Sequence, residues 1–142
     1  MKKKLISVVT ACFNEEDNVE KLYLQVSQIM KLLPYSYEHI FIDNSSTDTT
    51  VEKLKKLAKK NINLKLIVNT RNFGSIRSPY YGVIQSSGDA CILIPSDFQV
   101  PPELIKEFIK PWEKGFKIVM AKKETSSGNS FMVFLKTKYY KF

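Results

Sequence analysis

The sequence predicts an α/β fold, a doubly wound and mostly parallel sheet with helices on both faces, and three observations predict it. Apolar β-branched runs alternate with helix-period runs along the chain. Single helices separate the runs, which requires right-handed crossovers between parallel strands. Each of the first four runs ends in a short polar tip: Thr10–Glu15, Asp43–Asp48, Asn69–Gly74 and Pro95–Gln99. In such sheets ligands sit where loops converge at the carboxyl ends of the strands, so the tips define a candidate rim of carboxylates, amides and an arginine.

Leu5–Ala11 reads as the first strand. A helix from Glu16 to Leu33 follows, with Val19, Leu22, Tyr23, Val26, Ile29, Met30 and Leu33 at helical spacing until Pro34 stops it. Tyr37–Asp43 is the second strand. Thr47 or a neighbouring hydroxyl caps a helix to about Lys60, with Val51, Leu54, Leu57 and Ala58 on one face and solvated lysines on the other. Leu64–Asn69 is the third strand. Ser78 as N-cap and Pro79 at the first helical position open the next helix, which Gly88 ends in a left-handed cap. Ala90–Ile94 is the fourth strand, Pro101-Pro102-Glu103 opens a helix to about Lys110, and Phe116–Ala121 is a fifth strand.

One soluble domain is the expectation from 142 residues that are 44% hydrophobic and 25% charged. The net charge is +8, of which residues 113–142 hold +5, seven lysines against Glu113 and Glu124. A basic end suits anionic partners or a merely solvated surface. Thr125–Ser130 reads as a linker. After it Phe131, Phe134, Leu135, Tyr139 and Phe142 share one side of a helical wheel, an interfacial helix for an anionic membrane or a core helix lacking its partner. Cys12 and Cys91 read as small buried hydrophobes rather than a disulfide or zinc site, and His39 as a packed strand residue. The start carries too short an apolar run for a signal peptide, so a cytoplasmic location is expected.

The two commonest phosphate loops, GxGxxG and GxxxxGK[ST], are absent, as is GxSxG. With no nucleophile and base pair, what remains is carboxylate, amide and arginine chemistry, which suits a nucleotide diphosphate held with a hard metal ion.

The order ISVVTACFNEEDNVEKLY, IFIDNSSTDTT, NTRNFG and SSGDACILIPSDFQVPPELI resembles the family 2 glycosyltransferases, in the branch similar to dolichol-phosphate mannose synthases and bacterial polyprenyl-phosphate sugar transferases. It covers roughly residues 5–124. The resemblance implies a GT-A nucleotide-sugar-binding domain over residues 1–124, with 125–142 leading toward acceptor-side or membrane elements. It implies inverting transfer from a nucleotide-diphosphate sugar, with Mg²⁺ or Mn²⁺, to a polyprenyl phosphate or cell-surface glycan, at the inner face of the membrane.

Carried over by position, Thr10, Ala11, Glu15, Asp43, Asn44, Arg71, Gly74 and Ser96 would bind the nucleotide. Asp43 would read the base or ribose, and Arg71 would meet the diphosphate. Asp48 reads as a helix cap instead. The family's metal motif is Asp-x-Asp followed by x-Gln, and here Pro95 replaces the first aspartate, leaving Asp97 and Gln99 as ligands. Asp97 would also stabilise the leaving group, and Glu124 is a candidate base by position alone. Two further readings stand beside this one: a nucleotide-sugar binding module impaired by Pro95, and a basic domain that binds membrane or, less favoured, nucleic acid.

Overall fold

A computed structural model describes residues 3–121. Four strands, β1 (Leu5–Cys12), β2 (Ser36–Asp43), β3 (Leu64–Val68) and β4 (Ala90–Leu93), form one sheet in the order β3-β2-β1-β4. All three pairings are parallel, with Val8 opposite His39 and Ile92, and Phe41 opposite Leu66. The helices are α1 (Val19–Lys31), α2 (Thr50–Lys60), α3 (Gly74–Gln85) and α4 (Ile105–Glu113), the last entered through a 3-10 turn at Pro102–Leu104.

Strand alternation sends Ile6, Val8 and Cys12 to one face, where they pack with Leu22, Val26 and Met30 of α1, Leu54 of α2, and Ile105 and Ile109 of α4. Val9, Ile40 and Ile42 face the other way and are covered by α3. The approach there is close: a Cβ at Gly82 would lie 2.4 Å from Ile42 Cδ1 and 2.5 Å from Val9 Cγ1. The chain winds outward through β2 and β3, then crosses by α3 to β4 on the other side of β1. The gap between β1 and β4 is therefore a topological switch point, where open α/β sheets leave a crevice for ligands.

Several boundaries differ from the sequence reading, each for a local reason. α1 begins at Val19 because Asn18 and Val19 N–H first close a turn on the Glu15 carbonyl. Carboxylates rather than hydroxyls satisfy the start of α2: Asp48 accepts from Thr50 N–H at 3.0 Å, and Glu16, from the first tip, accepts from Thr49 N–H at 3.0 Å. α3 begins at Gly74, not Ser78. Asn72 Oδ1 accepts the Gly74 N–H at 2.8 Å, and the Ser78 hydroxyl is turned to Asn44 instead of capping, which leaves Pro79 inside the helix.

Gly88 is not a left-handed cap. A Cβ there would meet Ser7 N at 2.7 Å and Ala90 O at 2.8 Å, so glycine is required by space. α4 continues past Lys110 to Glu113 and closes on Gly115 at φ +96°, with Gly115 N–H to Trp112 O (2.9 Å) and Phe116 N–H to Pro111 O (3.2 Å). These are the paired bonds of a Schellman motif. Phe116–Ala121 is not a strand: its residues pair with nothing in the sheet. Cys91 is exposed because nothing among the described residues covers its side of the edge strand, whereas Cys12 is buried; both are free thiols. The linker and terminal helix expected over 125–142 lie outside the described residues, as does Glu124.

Candidate active site

The four tips meet at the carboxyl end of the sheet, and each carries one residue with left-handed backbone: Asn14 (φ 54°), Ser45 (φ 65°), Gly74 (φ 86°) and Phe98 (φ 58°). Glycine occupies that region freely, and a Cβ at position 74 would meet nothing within 4 Å, so Gly74 is there for conformation rather than space. The other three are side-chain-bearing residues held in a costly conformation by their surroundings. Such strain clusters at ligand-binding sites.

The bonds that hold it are visible. Asn14 ties the first tip to the second, donating N–H to Ser46 Oγ (2.9 Å) and accepting from Thr47 N–H (2.8 Å) at Oδ1. Glu15 N–H donates to Thr50 Oγ1 (2.8 Å) and Glu16 N–H to Asp48 Oδ2 (3.2 Å). Burial alone would raise the Asp48 carboxyl, but the bonds from Thr50 and Glu16 outweigh it and hold its pKa below the usual range. Asn44 joins the second tip to the third: its Oδ1 accepts from Asn69 Nδ2 (3.0 Å), Phe73 N–H (3.3 Å) and the Ser78 hydroxyl. Ser96 Oγ donates to Ala11 O (3.2 Å), fixing the fourth tip to β1.

These ties frame a cleft of about 450 Å³ over the switch point. Ala11, Glu15, Asn44, Gly74, Ser96 and Asp97 all line it. The remaining positions lie elsewhere. Thr10 points to the opposite face, fully buried, with Oγ1 3.0 Å from His39 Nε2, because strand alternation that brings Ala11 to the cleft must take Thr10 away. Asp43 lies beneath the rim with no exposed surface, its carboxylate accepting from Ser46 N–H (2.9 Å) and the Ser46 hydroxyl. Arg71 is exposed outside the cleft, its guanidinium 4.8 Å from the Phe73 ring centre. Gln99 is exposed and gives only its N–H to Asp97 Oδ1, at 3.1 Å.

Phe13, Asn72, Ser75 and Pro79 also line the cleft, none of them a site candidate from the sequence. An exposed aromatic in a polar tip was the available signal for Phe13, which is 44% exposed.

The residues present can take a divalent cation in one way. Asp97 faces the cleft, has no ion-pair partner among the described residues, and keeps one carboxylate oxygen free of the Gln99 N–H. No group of three or more His, Cys, Asp or Glu side chains gathers among the described residues. Of the two carboxylates that line the cleft, Glu15 already accepts from Asn18 Nδ2 (2.7 Å), which leaves Asp97 as the candidate anchor; phosphate oxygens and water would have to supply the remaining ligands, which suits Mg²⁺ or Mn²⁺ bound with a substrate diphosphate.

Residues 7–140 match the family described as Glycosyl transferase family 2. The chain belongs to that family. Among its relatives, CsbB of Bacillus subtilis (strain 168), named a glycosyltransferase, is 34% identical over 142 residues, all of this chain and 43% of the relative. The bactoprenol glucosyl transferase of Shigella phage SfV is 36% identical over 122 residues, 86% of this chain and 40% of the relative. This family 2 chain thus spans about two fifths of the length of both. The crystal structure of Mycobacterium tuberculosis glucosyl-3-phosphoglycerate synthase in complex with Mn²⁺, UDP and phosphoglyceric acid superposes with a TM-score of 0.59 at 24% identity, over 77% of this chain and 39% of that one. The family 2 chain has the GT-A type of fold.

Proposed function

We propose that the chain is the donor-binding part of an inverting glycosyltransferase that moves a sugar from a nucleotide-diphosphate sugar to a polyprenyl phosphate. The observation that carries this reading is the single cleft that gathers residues from all four tips over the switch point. The exposed Phe13 ring offers a face on which a base can stack, and Glu15 offers a carboxylate to a base N–H or a ribose hydroxyl. The diphosphate would lie against the start of α3, where Gly74 and Ser75 face the cleft and the helix dipole favours negative charge. Arg71 would leave its seat on Phe73 to join it. Asp43 acts from below, holding Ser46 and with it the second tip.

Asp97 would anchor Mg²⁺ or Mn²⁺, which when bound neutralises charge on the departing diphosphate. A polyprenyl phosphate supports the chemistry because it is anionic at neutral pH and attacks without a general base. That one relative is named a bactoprenol glucosyl transferase supports the same acceptor. A second reading, nucleotide-sugar binding without turnover, is favoured by Pro95, which lines the cleft where the family carries a carboxylate.

The test is a thermal-shift panel of UDP, GDP, CDP and dTDP with and without Mn²⁺. At a hundred times its dissociation constant a ligand of the folded state stabilises by about 2.7 kcal/mol. One nucleotide is expected to act only with metal, and Asp97→Ala to remove the effect. Absence of any shift refutes the donor site. Binding of the sugar donor with no nucleoside diphosphate or free sugar released from it selects the second reading.

A further inference from the structure

The two faces of the sheet are covered unequally. One carries α1, α2 and α4, whereas the other carries α3 alone among the described residues, and α3 lies against β1 and β2. On that side the edge strand β3 is left open, and a groove of about 580 Å³ runs between it and α3. Its walls are Ile67 of β3 with Phe73, Arg77, Tyr80, Tyr81 and Ile84. Tyr80 is 66%, Tyr81 46% and Ile84 58% exposed, and a contiguous apolar patch of this kind marks an interaction site. Sites for one small ligand span about 300–1,000 Å³.

The groove is basic at one end and apolar at the other. Phe73, Arg77, Tyr81 and Ile84 follow one another down a single face of α3, spaced by four, four and three residues. Arg77 lies in the first turn, and the Arg71 guanidinium sits 4.8 Å from the Phe73 ring centre, so both arginines stand toward the third tip. No Asp or Glu lines the groove, and neither arginine has an ion-pair partner among the described residues. Lys65, farther down β3, is already paired with Glu38.

We propose that this groove binds one molecule of a single-chain lipid phosphate, its hydrocarbon over Ile67, Tyr81 and Ile84 and its head on Arg77 beside the third tip. Charge selects this occupant. A second copy of the chain would set Arg77 against its like in a protein of net charge +8. The chain beyond Ala121 carries Lys122, Lys123, Lys136, Lys138 and Lys141 against Glu124, and it follows α4, which packs on the opposite face. A flat bilayer would touch the crest of α3 at Ile76 and Tyr80 without reaching Ile67, which is partly buried against the Val9, Ile40 and Ile42 cluster. A polyprenyl phosphate belongs to the proposed class, so the groove would also hold the acceptor named above, a role that rests on that reading. Its head would then lie across the third tip from the donor, because Asn72 and Gly74 of the same tip line the cleft.

The test titrates the 142-residue chain with farnesyl phosphate and dodecyl phosphate below their micelle concentrations, beside farnesol, dodecanol and inorganic phosphate. Calorimetry gives the affinities and backbone amide shifts locate the ligand. At least one lipid phosphate is expected to bind about tenfold more tightly than its alcohol and to shift amides of β3 and α3, with no saturable binding of inorganic phosphate. The tighter of the two identifies the chain as isoprenyl or straight. Arg77→Gln should remove the advantage of phosphate over alcohol, and Ile84→Gln should weaken both alike; the two side chains are exposed, so melting temperatures should hold. Shifts confined to the cleft, no effect of Arg77→Gln, binding only to phosphatidylglycerol vesicles, or a ligand-free dimer that shifts the same amides would each overturn the proposal. Nucleotide binding is read separately on the same samples, so failure of the donor site leaves lipid binding standing.

Discussion

His39 is the most deeply committed polar side chain in the core. Its ring stacks 6.1 Å from Tyr23 and lies tilted 4.1 Å from Phe41, Nε2 meets Thr10, and Nδ1 has no partner among the described residues. Complete burial lowers its pKa from 6.5 to about 3, so the folded state holds it neutral while the unfolded chain protonates it. The stabilisation is fully present above pH 6.5 and is lost as the pH falls from 6.5 toward 3, at about 1.4 kcal/mol per unit. Urea unfolding should show a loss of roughly 2 kcal/mol between pH 7 and pH 5, and His39→Gln should remove most of that slope. A flat wild-type profile would contradict it. Asn44 gives a second prediction. Its Oδ1 gathers three donors, two from the third tip and one from α3, so Asn44→Ala leaves the buried Ser78 hydroxyl and two part-buried N–H groups without their acceptor and should cost about 1–3 kcal/mol. Asn44→Asp retains the acceptor and should cost less by the same denaturant titration.

Element boundaries depend on where backbone groups find partners, and the glycines separate the cases. Gly88 fits against backbone atoms of Ser7 and Ala90 that cannot yield, whereas Gly82 fits against the side chains of Ile42 and Val9, whose tips can shift. Gly88→Ala should therefore destabilise more than Gly82→Ala, which as an overpacked site should cost about 1–3 kcal/mol. Gly74→Ala meets no atoms, and its cost should be only the strain of φ +86°, about 1 kcal/mol. Melting temperatures of the three variants give the order, and a Gly74→Ala change larger than Gly88→Ala would refute it. The same logic explains why the Phe116–Ala121 pattern forms no strand. Alternation prepares a segment for pairing, but a strand exists only beside a partner with free backbone groups.

At the scale of the molecule, no helix among the described residues is long and apolar enough to cross a membrane. The charge of +8 at pH 7, with a sequence pI of about 9.4, should nevertheless draw the chain to anionic lipid. Cosedimentation with vesicles of phosphatidylcholine and phosphatidylglycerol is expected at low salt and should be lost as the Debye length shrinks to about 3 Å near 1 M salt. Binding that ignores salt would point to the aromatic side chains of residues 131–142 instead. The order of the first four strands and their helices, the parallel winding, the rim of four tips, and Ala11, Glu15, Asn44, Gly74, Ser96 and Asp97 as residues of that rim were readable from periodicity, from punctuation by polar residues and from the family resemblance. Those features are local, or are repeated along the chain. What only the tertiary structure decided is which atoms the tips spend on one another. It sends Thr10 to His39, Asp43 to Ser46 and Ser78 to Asn44, sets Arg71 outside the cleft, brings in Phe13, and leaves the outer edge of β4 unpaired among the described residues, because hydrogen bonds between distant tips are fixed by the packing of strands and not by the spacing of residues along any one of them.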